Sequence, residues 1–205
     1  MSDVQLENAD TLHLLGMDIS NKLSWTSHIS CIAKRASQRL GALYRVRSYL
    51  TQESILYLYK TQILPILEYC SHLWSKSAVS GTALLDRIQK RVCNLIGPQL
   101  SQKLEPLSHR RDVSSLSLFY RYHNGLCSSQ LHRAVAPLKQ HRRQLRSTDS
   151  SHKLTLEVPR CRTTHYQTSF FPQTSTLWNS LPAGVFPDTI NLTKFKSAVN
   201  RVLQH

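Results

Sequence analysis

The chain is poor in carboxylates. Its 205 residues hold 12 Asp and Glu against 26 Lys and Arg, a formal charge of +14 with histidine neutral. No two acids are neighbours in sequence. Two-metal phosphoryl transfer needs carboxylates clustered closely enough to hold ions about 4 Å apart, so no such centre is expected within this chain. Glycine is scarce as well. The six glycines are all isolated, which leaves no glycine-rich loop to cradle phosphates, and no GxSxG elbow occurs. The five cysteines are odd in number, scattered and free of any CxxC pair. They read as reduced thiols of an intracellular protein, and the acidic first residues do not resemble a secretory signal. No apolar run reaches the length of a membrane span, and no membrane partner is expected.

What the chain has is positive charge, unevenly placed. Residues 1–20 carry four acids and no Lys or Arg, so they sum to −4 while the rest carries +18. An excess of this size favours a polyanionic partner, nucleic acid foremost. Residues 101–162 alone hold 12 Lys and Arg against four acids. Within them KQHRRQLR reads equally as a phosphate-binding stretch, a nuclear import signal or a solvated linker. Tyr120, Tyr122 and Tyr166 lie among these cations and offer ring faces on which bases could stack.

Hydrophobic periodicity predicts a mainly α fold. TLHLLGMDISNKLSW reads as a strand and turn, a small hairpin. From Ser27 the period becomes helical, with Ile29, Ile32, Ala36, Leu40 and Leu43 on one face and Lys34, Gln38 and Arg45 opposite. Thr51 suits an N-cap, with Glu53 in the first turn. One helix is then expected along Leu56, Tyr59, Ile63, Leu67, Cys70 and Trp74, kinked at Pro65. On such a helix Cys70 and His72 point to nearly opposite sides and cannot jointly hold a metal. Glu68 and His72, four apart, would pair. A third helix fits Leu85, Ile88, Val92 and Leu95, with Arg87, Lys90 and Arg91 toward solvent and Gly97-Pro98 ending it. A fourth runs from Arg110 to His123 on Val113, Leu116 and Tyr120. KLTLEV alternates as a strand, with QTSFF its candidate partner. TSTLWNSLP reads as a short helix, and a last helix carries Phe195, Val199, Val202 and Leu203.

Two candidate sites follow. The candidate nucleic-acid-binding residues are Lys34, Arg35, Arg45, Arg87, Lys90, Arg91, Arg110 and Arg111, with Arg142, Arg143 and Arg146 adding to the field; arginine forks suit phosphate oxygens. The weaker candidate is a zinc site built from His123, Cys127, Cys161 and His165, two pairs each four apart. The wider than usual spacing, and a helix end inside one pair, speak against it.

The segments LLGMDISNKLSWTSHISCIAKRASQRLGALYR, ILYLYKTQILPILEYCSHLWS and LLDRIQKRVCNLIG follow one another in this order. LSHRRDVSSLSLFYRYHNG, SFFPQTSTLWNSLP and LTKFKSAV come after them. Together they resemble the end of the reverse transcriptase polyprotein of a jockey-type non-LTR retrotransposon. The resemblance implies a palm-edge remnant over 1–25, a thumb-like helical domain over 26–98 and a helical continuation over 99–133. A basic linker over 134–152 and a small α+β region over 153–205 complete it. The family's paired-aspartate turn has no counterpart, so the resemblance implies a fragment that is not a polymerase on its own. It implies no cofactor in this piece, because magnesium would belong to the missing palm. The implied partners are template–primer nucleic acid and the palm itself, and the implied location is nuclear. The competing expectation is a protein-interaction module, or a decayed remnant without function.

Overall fold

A computed structural model describes residues 9–76, 79–133, 135 and 152–204. The fold is mainly α, with a two-stranded antiparallel hairpin near its start. It divides into two units: Met1–Tyr69 with Ser77–Leu104, and Cys70–Lys76 with Glu105–His205. The divide therefore lies at 104/105 and detaches residues 70–76 from the thumb-like segment, unlike the boundary expected at 98/99. Most of the expected linker over 134–152 lies outside the described residues.

The first unit opens with β1 (Thr11–Leu14) and β2 (Met17–Ser20), paired so that Leu14 faces Met17. Only Leu15 and Gly16 remain for the turn, and both have positive φ, +49° and +79°. A two-residue hairpin needs this to match the strand twist; glycine adopts it freely and leucine does not. The hairpin is tied down at its tip, where the Tyr69 hydroxyl donates to the Leu15 carbonyl (2.9 Å).

α1 (Thr26–Val46) buries Ile29, Ile32, Ala36, Leu40 and Leu43, the five positions set by the 3.6-residue period. A 3₁₀ turn, Arg47–Tyr49, leads to α2 (Gln52–Leu58), whose N-cap is Thr51: its hydroxyl accepts from the Ser54 N–H (3.2 Å). The expected kink at Pro65 takes another form. A π-helical turn, Tyr59–Ile63, precedes α3 (Leu64–Glu68), with the Leu64 N–H bonded to the Tyr59 carbonyl. Widening the helix here places Pro65 at the start of a new helical segment, where a missing N–H costs little.

The helix expected to continue to Trp74 ends at Glu68. Tyr69 is extended, Cys70 is left-handed (φ +50°), and α4 (Ser71–Trp74) is a new helical turn. Cys70 is therefore not a member of the apolar stripe. Glu68 and His72 fall on either side of the break instead of one turn apart on a continuous helix. α5 (Val79–Ile96) supplies Leu85, Ile88, Val92 and Ile96 to the core, while Leu95 is only half-buried. A Cβ on Gly81 would stand 3.1 Å from the Ile29 side chain, so α1 and α5 approach closely there. Tyr59 and Gln89 form a satisfied polar pair inside this core, the hydroxyl donating to Oε1 (2.9 Å). Gly97, at φ +80°, ends α5, and α6 (Pro98–Ser101) follows.

The second unit is organised by aromatic rings. α7 (Leu107–His123) packs on α10 (Phe170–Asn179) and α11 (Leu192–Val202), with α8 (Ser129–Arg133) and α9 (Thr164–Gln167) as short flanking turns. Trp178 is fully buried, with ring centres of Phe119 at 5.2 Å and Phe186 at 4.8 Å. Tyr120 stacks on Phe195 at 4.2 Å, the planes only 20° apart.

The β element expected from KLTLEV shrinks to a single bridge residue, Leu156, and QTSFF, instead of a partner strand, joins the end of α9 at Gln167 to the start of α10 at Phe170. Side chains bond the backbone around this bridge. Asn179 accepts from the Leu156 N–H and donates to its carbonyl, both at 2.9 Å, and Trp178 Nε1 donates to the Leu154 carbonyl (2.8 Å). Thr163 caps α9 by accepting from the Tyr166 N–H, so the start of this helix is fixed locally.

Candidate nucleic-acid interface

Successive residues on a helix turn by about 100°, and this sorts the cations of α1. Lys34 and Arg45 lie on its outer spine, opposite the buried stripe, and both are exposed. Arg35 and Arg39 lie on one flank, where Arg39 donates to Gln62 Oε1 (3.0 Å). Tyr44 lies on the other flank, facing α5: its hydroxyl donates to the Arg91 carbonyl (3.3 Å).

Around Tyr44 the structure builds a cluster. The guanidinium carbons of Arg47 and Arg91 stand 5.5 Å and 5.6 Å from its ring centre. Arg47 is also fixed by donating to the Tyr44 carbonyl (3.0 Å). Arg87, one turn before Arg91 on α5, shares its face, while Lys90 points to the far side of that helix. Ile29 meets Gly81 and Tyr44 meets Arg91, so α1 and α5 run side by side in the same direction. Their exposed cations are thereby spread along one pair of helices. Among the described residues, Lys34, Arg35, Arg45, Arg47, Arg87, Lys90 and Arg91 have no carboxylate partner.

The remaining predicted binders fare differently. Arg111 is 4 % exposed, its guanidinium 5.9 Å from the Trp74 ring centre. It cannot present a fork to phosphate, because α4 packs across that flank of α7; the sequence showed only one covered side of this helix. Arg110 is half-buried and 3.8 Å from the Glu105 carboxylate. Arg142, Arg143 and Arg146 lie outside the described residues. The expected stacking faces of the second unit are largely taken up in its core. Tyr120 is 3 % exposed. Tyr122 is half-buried against Phe170 and Phe171. Tyr166 alone of the three is exposed.

The candidate zinc ligands do not converge. The His123 ring packs on Trp178 (5.2 Å between centres), and burial lowers its pKa from the ordinary 6.5. The Cys161 thiol donates to the Pro159 carbonyl (3.3 Å). No metal-holding group of three His, Cys, Asp or Glu occurs among the described residues.

A concavity lies within the first unit. A cleft of about 380 Å³ between the hairpin tip, α1 and α3 is lined by His13, Asp18, His28, Cys31, Arg35 and Tyr69, with Leu15, Ile32, Pro65 and Ile66 as its apolar wall. Asp18 Oδ1 is 2.7 Å from His13 Nδ1, a hydrogen bond that holds the carboxyl below its usual pKa. The Asp18 N–H donates to His28 Nδ1 (3.3 Å), so the proton of the neutral ring sits on Nε2. His28 is 4 % exposed, and burial pushes its pKa down against the pull of the Asp18 carboxylate 3.9 Å away. Among the described residues His28 Nε2 has no hydrogen-bond partner. The Cys31 thiol is therefore not engaged with it, and the group lacks the nucleophile–base contact that covalent catalysis uses.

No family model, curated protein or solved structure matches the chain. What the site can do rests on its own residues. Arg39, Tyr44, Arg47 and the exposed Tyr49 and Tyr57 were not among the residues expected from sequence. Arg47, three residues after Tyr44 at the end of an apolar-periodic helix, was the available signal. Among the described residues no helix is long and apolar enough to cross a membrane.

Proposed function

We propose that this chain binds nucleic acid without regard to sequence, through the exposed cations of α1 and α5, as the palm-edge, thumb and tail piece of a jockey-type non-LTR retrotransposon reverse transcriptase. One observation carries the reading: seven exposed Lys and Arg on two adjacent parallel helices and the turn after the first, none paired with a carboxylate among the described residues. Arg47 and Arg91, unpaired and held at one ring, repel one another, and a phosphate backbone relieves that repulsion while releasing its counterions. The rigid placement of Arg47 and Arg91 on Tyr44 lowers the ordering cost of each contact. The chain's own residues supply binding and orientation only; bond-making would belong to a palm outside this sequence, in a nuclear setting.

Fluorescence anisotropy of a labelled duplex, titrated at several salt concentrations, tests the reading. Affinity should fall steeply with salt, by about 0.9 in log–log slope for each phosphate neutralised; a flat response removes it. Primer extension with magnesium or manganese should yield no product, and incorporation by the purified chain would contradict the fragment reading.

A second reading has an observation of its own. The hairpin leaves Leu12, Leu14 and Leu15 at 56, 50 and 82 % exposure, an apolar surface suited to docking on a palm or another protein. Retention of a protein partner, without retention on heparin, would favour it.

A further inference from the structure

Resting on the nucleic-acid reading, we propose that Tyr49 is a stacking platform for an unpaired base, so that this face prefers strands carrying single-stranded nucleotides to blunt duplex. Tyr49 is 87 % exposed, more than any other large hydrophobic side chain of the described residues. A single exposed ring is unremarkable in itself; its setting is what gives it meaning. It stands at the end of the 3₁₀ turn Arg47–Tyr49, whose Arg47 carbonyl accepts from the Leu50 N–H (3.3 Å). α1 lies immediately before this turn, and the capped start of α2 follows at Thr51. The ring is therefore carried on a short, hydrogen-bonded connector and not on a loose loop, and little backbone entropy is lost when it is covered.

The occupant follows from charge. Arg45 and Arg47 lie four and two residues before Tyr49 in sequence, both exposed, neither with a carboxylate partner among the described residues. An acidic or apolar protein segment would satisfy one half of this surface only. A nucleotide satisfies both, its phosphate at the guanidinium and its base on the ring. The ring must meet a base face, and in a duplex those faces are occupied by neighbouring base pairs, so only an unpaired base can use it. Tyr44 cannot take this role, since Arg47 and Arg91 already occupy its surroundings. Tyr120 cannot either, being stacked inside the second unit.

The test uses the full chain and three labelled probes of one sequence: a blunt duplex, that duplex with a single-stranded overhang, and the single strand. The unmodified protein should favour the two probes with unpaired bases. Tyr49→Ala should weaken binding to those two by about tenfold, within the range of base–aromatic stacking, and leave the blunt duplex unchanged. Tyr49→Phe, which keeps the ring, should restore the preference. Equal affinity of the unmodified protein for all three probes, or equal loss on all three in Tyr49→Ala, overturns the stacking role while salt-dependent binding leaves the nucleic-acid reading standing. Absence of binding to any probe removes both.

Discussion

The two units solve the same problem, burying an apolar face, with different side chains, and the surfaces they leave differ accordingly. The first uses aliphatic stripes from α1, α3 and α5 with one internal polar pair, Tyr59–Gln89, and keeps its arginines outside. The second uses rings around Trp178 and draws polar and cationic groups inward: Arg111 beside Trp74, His152 bonded to the Trp178 carbonyl (3.0 Å), His123 on the Trp178 ring. Its surface cations are partly answered by acids, Lys76 by Asp112 (2.7 Å) and Arg110 by Glu105 (3.8 Å). Similar sequence charge thus has two fates. Where arginine flanks a simple amphipathic helix it remains available; where a helix is covered on two sides it becomes structure.

The largest way to break this contrast is Trp178→Ala. Removing a fully buried ring that also donates to the Leu154 carbonyl should destabilise the second unit by about 3–5 kcal/mol, read as a lowered midpoint in denaturant followed by near-ultraviolet circular dichroism. A loss below about 1 kcal/mol would mean that the ring cluster does not organise this unit.

Acidification should separate the units more gradually. Burial lowers the pKa of His72 and His123 in the second unit and of His28 in the first, each from an ordinary 6.5. A folded-state pKa below the unfolded one means that unfolding takes up protons. The stability these rings contribute is therefore complete above about 6.5 and declines as the pH falls from there toward the lowered folded values. Melting temperatures should drop across that window, and substituting both His72 and His123 by Gln should flatten the drop more than His28→Gln does. An unchanged melting temperature would show that these rings are not buried neutral.

The smallest effect is expected at the hairpin tip. Leu15→Asn places at φ +49° a residue that tolerates the left-handed region and completes an Asn-Gly turn. It should add about 1 kcal/mol to stability, and a loss instead would mean that the exposed leucine makes contacts that outweigh its strain.

How far the sequence reveals this molecule depends on whether one element or several decide a residue's surroundings. The 3.6-residue period places α1, α5 and α11 because each buries one stripe, it places α7 through one of its two covered sides, and Thr51 is readable as a cap because capping is local. The break at Tyr69–Cys70 was not readable: nothing in LEYCSHLW announces a left-handed cysteine, and tertiary contacts, including the Tyr69 hydroxyl on the hairpin, accompany it. KLTLEV alternates like a strand, yet the Leu156 N–H and carbonyl bond one asparagine side chain. In the candidate interface, Lys34, Arg45, Arg87, Lys90 and Arg91 were legible as outward positions on single helices. Arg111 was misplaced because α4, its second neighbour, comes from a distant segment. Arg47 gains its meaning only once α1 and α5 bring it and Arg91 to the same ring.

The decisive measurement compares log–log salt slopes of duplex binding for the unmodified chain and for Arg47→Ser/Arg87→Ser/Arg91→Ser. If the Tyr44 cluster holds the phosphate backbone, the triple variant should bind more weakly and its slope should be shallower by about 2.7, roughly 0.9 for each lost contact. Equal slopes, with the variant shown by circular dichroism to be folded, would contradict the account.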